Sequence, residues 1–324
     1  MQKQKCSLSL YSNFLIGNQN RYSGVELSKV TDDMAHDAVS RWLSKFTFKP
    51  QELWNQVKNL VNLKAGYLVV DDTTLDKRYS RENELAKLQY SGDEHGLVNG
   101  INLENLLWTD LKKCVPVDYR IYRKETDGKT KNDLFLELLK KALRRGFSPL
   151  YVLFDSWYSS LENLKFIRSQ RLKFICNLKS NRIVSRNRVQ MSISDLSLAD
   201  KQVEKVWLKG FGQILVCKVV ATNGDITYLA TSDLSLTDYD EFTGHFQQRW
   251  NIEEFHRGIK QTTGIEKCYS IKAKSQRTHI FAAFVAFVRL EAVRISESIS
   301  WYEQKASITR FATANYGLIL KIGW

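Results

Sequence analysis

His245-Phe246-Gln247-Gln248-Arg249-Trp250-Asn251-Ile252-Glu253-Glu254-Phe255-His256-Arg257-Gly258-Ile259-Lys260 is the stretch on which the fold turns. It has no proline and a single late glycine, and its spacing predicts one helix. At 100° per residue, Arg249, Glu253 and Lys260 fall within roughly 60° of Phe246, on one narrow stripe. Ile252, Phe255 and Ile259 form a second, apolar stripe more than a quarter-turn away. An isolated surface helix would explain these features by core packing and an Arg249–Glu253 ion pair worth about 0.3–0.5 kcal/mol. The rest of the chain argues for more, because two hydrophobic strands elsewhere each end in aspartate.

The first is Ala65-Gly-Tyr-Leu-Val-Val-Asp71-Asp72-Thr73-Thr74, and the second is Leu150-Tyr-Val-Leu-Phe154-Asp155. Both are apolar runs of the kind that form buried strands. A helix capped by Asn132-Asp133 and running to about Arg145 lies between them, which implies a right-handed crossover and a parallel pair. Gly96 to Trp108 and Val115 to Tyr122 read as two further strands, with a turn near Gly92-Asp93 and the acid-bearing strand making a three-stranded meander. Segments at 174–178, 203–207, 213–221 and 226–230 predict a β-rich insertion over about 174–240.

At the N-terminus, Val25–Val30, a turn at Thr31-Asp32-Asp33 and Met34–Phe46 fit a helix-turn-helix. Val39, Trp42, Leu43 and Phe46 form the buried face of its second helix, with Arg41 and Lys45 outward. An amphipathic helix over Gln51–Leu63 follows. The expected organisation is a helical DNA-binding region over 1–63 and a catalytic domain over 64–324.

Lys and Arg outnumber Asp and Glu by 48 to 35, a formal charge of +13. From Arg168 to Arg188 there are seven basic residues, Arg182 among them, and no acidic one. Clustered charge of one sign is what a phosphate backbone selects. The five cysteines lack metal-ligand spacing and fit free thiols in a reducing cytoplasm. The apolar run Ile280–Val288 is too short to span a bilayer, and Met1-Gln-Lys-Gln-Lys-Cys6 leads into no long hydrophobic segment, so neither membrane insertion nor a signal peptide is expected.

Asp72, Asp155 and Glu253 converging at one sheet edge would repel one another unless cations sat between them. Hard oxygen ligands suit Mg²⁺ or Mn²⁺ better than zinc. Two such ions about 4 Å apart can activate a water or a 3′-hydroxyl and stabilise the leaving oxygen in phosphodiester cleavage.

With these residues in order, the chain resembles the DDE-type transposases of bacterial insertion sequences. The resemblance is to the group with a Tyr-x2-Arg-x3-Glu-x6-Lys signature, here Phe246-x2-Arg249-x3-Glu253-x6-Lys260. Leu68-Val-Val-Asp71-Asp72-Thr73-Thr74 and Val152-Leu-Phe-Asp155-Ser-Trp-Tyr158 are similar to the family's two aspartate strands. The resemblance implies an α/β ribonuclease H-like mixed sheet flanked by helices, two Mg²⁺ ions, and cut-and-paste movement of double-stranded DNA. It further implies a homodimer acting on terminal inverted repeats and a target, in the bacterial cytoplasm at the nucleoid. By carry-over, Asp72, Asp155 and Glu253 hold the metals while Arg249 and Lys260 contact phosphates. Phe246 stands where the family often has Tyr, which removes a phenolic hydroxyl. Asp71 and Asp72 are neighbours on a strand and point to opposite faces; Asp72 directly precedes a Thr, as the family's aspartate does, and Asp71 stands as the alternative.

Trp157, Tyr158 and Trp250 are candidates either to stack on a displaced base or to fill the core. Lys77 and Arg78 either grip phosphate or are solvated loop charges, and His256 reads as a surface helix residue. Two other classes compete with a transposase. An aspartate-nucleophile phosphatase would use Asp72-Thr73-Thr74 but leaves the helix stripe and basic tract without a role. A co-opted, non-cutting DNA-binding protein would need only the N-terminal helices.

Overall fold

The computed structural model describes residues 5–322, apart from residues 20, 32–33, 81 and 92–95. The chain opens with α1 (Leu8–Gly17), α2 (Gly24–Lys29), α3 (His36–Lys45), a 3₁₀ turn over Pro50–Leu53 and α4 (Trp54–Val57). Strands β1 (Tyr67–Asp76), β2 (Lys87–Ser91), β3 (Gly96–Thr109) and β4 (Cys114–Ile121) follow, then α5 (Lys124–Asp127), α6 (Lys131–Arg144), β5 (Tyr151–Phe154) and α7 (Leu161–Ser169). Next come β6 (Phe174–Leu178), β7 (Ile183–Arg186), β8 (Val189–Ser192), β9 (Val203–Leu208), β10 (Gly212–Val220) and β11 (Ile226–Thr231). The chain closes with α8 (Tyr239–Gln247), α9 (Trp250–Thr263), α10 (Ala273–Glu297) and α11 (Trp301–Ile322). This is the expected mixed sheet flanked by helices. Two compact units emerge: Met1–Leu60 with Thr73–Leu103 and Glu254–Trp324, and Val61–Asp72 with Glu104–Glu253.

In the second unit, β1 and β5 form the expected parallel pair, with Tyr67 opposite Tyr151 and Val70 opposite Phe154. All four residues of β5, and Tyr67 to Val70 of β1, are buried, as strands covered on both faces must be. Outward from β5 the order is β6, β11, β10, β9, β7, β8; on the other side β3 lies beside β1 and β4 pairs with β3. The stretch expected as an insertion begins with β6, which pairs in parallel with β5 and so extends the central sheet. From β6 outward the pairing becomes antiparallel.

The β4–β5 crossover is α6, which buries Leu134, Phe135, Leu138, Leu139 and Ala142. Its cap is Thr130 rather than Asn132-Asp133: the Thr130 hydroxyl accepts from Asp133 N–H and the Asp133 carboxylate accepts from Thr130 N–H. Reciprocal bonding satisfies two otherwise orphaned donors and places the cap two residues before Asn132.

The predicted single helix over 245–260 is two helices. Hydrogen bonds tighten to i→i−3 at the junction, with Arg249 N–H donating to the Phe246 carbonyl (2.9 Å) and Ile252 N–H to that of Arg249 (3.1 Å). The Asn251 amide also donates to the Gln248 carbonyl at 3.0 Å. Asparagine offers the backbone a local alternative to the helical ladder, and the chain takes it where α8 passes into α9.

In the first unit, α10 is the buried spine, with α1, α3 and α11 against it. Two segments match the expected helical hairpin as α2 and α3, although Asp32 and Asp33 of its turn, like Gly92-Asp93, lie outside the described residues. Val39, Trp42 and Leu43 are buried as their spacing predicts, but α3 stops at Lys45 and leaves Phe46 43% exposed. The helix expected over Gln51–Leu63 ends at Val57; Asn62 turns the chain instead, its side-chain oxygen accepting from Lys64 N–H at 3.0 Å. Gly258 is where α9 meets its packing partners, since a Cβ there would come within 2.8 Å of Trp301. Among the described residues no helix is long and apolar enough to cross a membrane.

His279 makes the first unit acid-sensitive. Its Nε2 lies 3.0 Å from the Gly264 carbonyl, which can only accept, so Nε2 carries the proton and Nδ1 accepts from the Tyr11 hydroxyl at 2.9 Å. Burial, aided by the charge of Lys77, depresses its pKa from 6.5 to about 3. Between those values the unfolded chain binds a proton that the folded one excludes, so stability is complete above pH 6.5 and falls as pH drops toward 3. We expect a loss of about 2 kcal/mol between pH 7.5 and pH 5, at about 1.4 kcal/mol per pH unit below 6.5. Urea midpoints at the two pH values should differ less in His279→Gln, which keeps a donor and an acceptor; an identical pH response in wild type and variant would refute this.

Candidate active site

β5 ends just before Asp155, whereas β1 does not end at its acids as expected: it runs on to Asp76, with Thr73 and Leu75 buried beyond Asp72. Val70 and Phe154 are the last residues in register across the parallel pair, and Asp71 and Asp155 follow them directly in the chain. The carboxylates of both Asp71 and Asp72 lie close enough to Asp155 to act on it or be acted on by it. Burial first, then the carboxylates of Asp155 and Asp72, raise Asp71 from 3.8 to about 8, against the lowering pull of Arg249. Burial also raises Asp155, whose Oδ1 accepts from Trp157 N–H at 2.9 Å and caps the 3₁₀ turn Ser156–Tyr158.

Arg249, at the α8–α9 junction, ties in the third acid. Its Nη1 donates to Asp71 Oδ2 at 3.1 Å and its Nη2 to Glu253 Oε1 at 2.6 Å. The guanidinium lies 5.7 Å from the Phe246 ring centroid, so phenylalanine keeps the packing role of an aromatic there. Asp72 faces a different group: Lys131 Nζ at 2.7 Å from Oδ2 and the Tyr158 hydroxyl at 3.2 Å from Oδ1.

Sequence reasoning missed Glu104, Lys131 and the hydroxyl of Tyr158. Glu104 is fully buried, accepts from Tyr158 at Oε2, and has Lys131 Nζ 3.8 Å from Oε1. One signal was available: Glu104 is the lone acid in the otherwise apolar and amide-bearing run Ile101–Trp108.

The other predicted residues are dispersed. Trp250 and Trp157 are about half exposed, at 50% and 56%, with Lys131 and Lys179 lying 5.7 and 5.3 Å from the Trp157 ring. Tyr158 is wholly buried and belongs to the core. Arg182 is half-buried, and that burial lowers its pKa. In the first unit Arg41 is exposed and paired with Asp37, Lys45 is exposed, and Lys260 is half-buried on α9. Lys77, read as a phosphate grip or a solvated charge, is neither: it is buried and donates to the Glu266 carbonyl at 2.7 Å. His256, expected on the surface, is buried beside Phe255.

Among the described residues no group of three or more His, Cys, Asp or Glu side chains is arranged to hold a metal ion. The pair Asp71 and Asp155 nevertheless has the chemistry for one. Burial first, and then the neighbouring carboxylates, push the Asp71 pKa to about 8, and a divalent cation between the carboxylates would relieve their share of that rise.

A family model described as "Transposase DDE domain" matches residues 64–289. No curated protein matches the sequence. Among solved structures, the Drosophila P element transposase strand transfer complex is similar at 12% identity and a TM-score of 0.32, over 59% of this chain and 48% of that one. The match thus spans about half the length of that chain.

Proposed function

This chain belongs to the transposase DDE-domain family, and on that premise we propose that it is a metal-dependent transposase that cuts and rejoins double-stranded DNA at the ends of an insertion sequence. The observation that carries the reading is that the two strands paired in parallel through Val70 and Phe154 are each followed by aspartate, with Arg249 bridging Asp71 to Glu253. In this reading Asp155 and Glu253 are ligands together with an aspartate of β1, Asp72 directly before Thr73 or, as the alternative, its neighbour Asp71. The family generally uses divalent metals, and two Mg²⁺ or Mn²⁺ ions are the proposed complement. When bound, such ions activate the attacking hydroxyl and stabilise the leaving oxygen.

The remaining work falls to the chain itself. Arg249 holds Glu253 toward Asp71 and offsets part of the acid cluster's charge. Phe246 backs the guanidinium. Arg249, Lys260, Trp250, Phe246, Arg41, Lys45 and Arg182 are proposed DNA contacts, within a chain whose net charge of +13 favours a polyanion. A homodimer on paired transposon ends, acting in the bacterial cytoplasm, completes the proposal.

The test is cleavage of a duplex carrying the end sequence that flanks the gene. Wild type should nick at the element's tip with Mg²⁺ or Mn²⁺, whereas Asp155→Ala and Glu253→Ala should bind the duplex without nicking it. Binding without cleavage by the wild type under both metals would replace this reading with that of a transposase-derived DNA-binding protein.

A further inference from the structure

Away from the carboxylates, the outer part of the sheet in the second unit carries a groove that the mechanism above leaves unused. It encloses about 660 Å³ between the β7–β8 hairpin and strands β9 and β10, and β6, β11 and β10 separate β9 from β5. Trp207 of β9 lines it and is 54% exposed. Ser185 lies opposite Trp207 on β7 and Gln213 opposite it on β10. Opposed residues share a face of the sheet, so the indole stands between two polar neighbours. Lys205, two residues earlier on β9, is on the same face and exposed. Arg186, Arg188 and Lys205 line the groove against a single carboxylate, Glu204. Glu204 is already held, its two oxygens 3.2 and 3.1 Å from Arg186 Nη1. Arg188 and Lys205 are therefore surplus cations, with no carboxylate partner among the described residues.

Arg188 occupies its place against the preference of the backbone. With Arg186 opposite Val189, only Asn187 and Arg188 join β7 to β8. Both have left-handed backbone, at φ 51° and 67°. Two-residue hairpin turns of this kind favour asparagine followed by glycine, because glycine adopts positive φ without a Cβ clash. An arginine in the second position gives up that ease and sets a cation at the hairpin tip.

We propose that this groove binds an unpaired strand of DNA, with a base stacked on Trp207 and the adjoining phosphates on Arg188 and Lys205. An exposed indole accepts the π-face of any base, and cations track the backbone beside it. In a duplex those faces are covered by neighbouring pairs, so the indole selects a single strand. A second copy of the chain fits the groove badly, because each copy carries a net charge of +13 and brings like charge to a basic surface. The proposal goes beyond the transposase reading by naming a ligand held away from the carboxylates.

The test needs neither metal nor turnover. Binding of a fluorescein-labelled oligothymidylate to the full-length protein in EDTA is followed by anisotropy over a range of salt, for wild type, Trp207→Ala, Arg188→Gly and Lys205→Gln. Trp207→Ala should bind about tenfold more weakly, the scale of one lost base stack, with the slope of log K against log salt unchanged. Removing one phosphate contact to a single strand lowers that slope by about 0.7, and Arg188→Gly and Lys205→Gln should each show it. Arg188→Gly carries its own folding control: glycine eases the turn, so this variant should melt no lower than wild type while binding the strand more weakly. Unchanged affinity in Trp207→Ala, or an unchanged slope in Arg188→Gly, overturns the proposal, and so does a wild type that ignores the oligothymidylate. Sedimentation in which wild type dimerises without DNA and Trp207→Ala does not would also overturn it, by giving the groove to a second copy. Wild type that holds the strand through these residues yet never nicks the end duplex with Mg²⁺ or Mn²⁺ sinks the transposase reading and upholds the groove.

Discussion

Asp72→Asn lowers the single-turnover rate of metal-dependent DNA cleavage by at least about 10³-fold, whereas Asp71→Asn lowers it by no more than about tenfold; losing a cation ligand removes several kcal/mol of transition-state stabilisation, and losing an outer partner removes much less. Both changes are isosteric, so packing is a minor contributor to the difference. The reason for the asymmetry is that Asp72 directly precedes Thr73, as the family's aspartate does. Asp71 directly follows Val70, the last residue of β1 in register with β5, and reaches Glu253 through Arg249. Asp72 is occupied by Lys131 and Tyr158. Asparagine at 72 keeps an acceptor for the tyrosine hydroxyl and loses the ion pair with Lys131. Electrophoretic mobility shifts on the same duplex should be alike for both variants. The reverse ranking, with Asp71→Asn inactive and Asp72→Asn active, would assign the ligand to Asp71.

The largest effect on stability is expected at Asp118, away from the carboxylates. Its side chain is fully buried on β4, with Arg120 Nη1 2.6 Å from Oδ1 and Arg145 Nη2 3.1 Å from Oδ2. The Tyr119 N–H also donates to Oδ1 at 2.9 Å. Arg145 is only 8% exposed, and its burial depresses its pKa against the raising pull of Asp118. Asp118→Ala would leave that guanidinium buried without its counter-charge, which typically costs about 3–5 kcal/mol. The free energy of unfolding from guanidinium chloride titration should fall by that amount. Arg120→Ala should cost less, because Arg120 is more exposed, at 18%, and Asp118 keeps Arg145. A loss below about 1 kcal/mol in Asp118→Ala, the scale of an exposed pair, would mean the charges are solvated rather than mutually dependent.

Much of the fold was legible locally. Tyr67–Val70 and Tyr151–Phe154 are continuous apolar runs, and a strand buried on both faces needs nothing beyond its own composition to be recognised. Val39, Trp42 and Leu43 announced the packed face of α3 by their spacing. Arg249 and Glu253, four residues apart, meet in space at 2.6 Å as helical geometry requires. Order and spacing of these motifs were enough to identify the family that the match over residues 64–289 establishes.

The misread elements were decided by competition or by distant partners. The helix over 245–260 breaks because one asparagine amide competes for a backbone carbonyl, which helical periodicity does not record. Lys77 and His256 look like surface residues in sequence because a charge or an imidazole carries no mark of what covers it; Lys77 finds the Glu266 carbonyl 189 residues away.

By itself, then, the sequence determined where the two buried parallel strands and the packed face of α3 lie, and to which family the chain belongs, because those properties depend on side-chain periodicity and composition within short windows. Only the tertiary structure decided that Asp71 meets Arg249 while Asp72 meets Lys131 and Tyr158. Adjacent aspartates on one strand are equivalent until a second strand fixes the register, and that register is set by pairing across more than eighty residues of intervening chain.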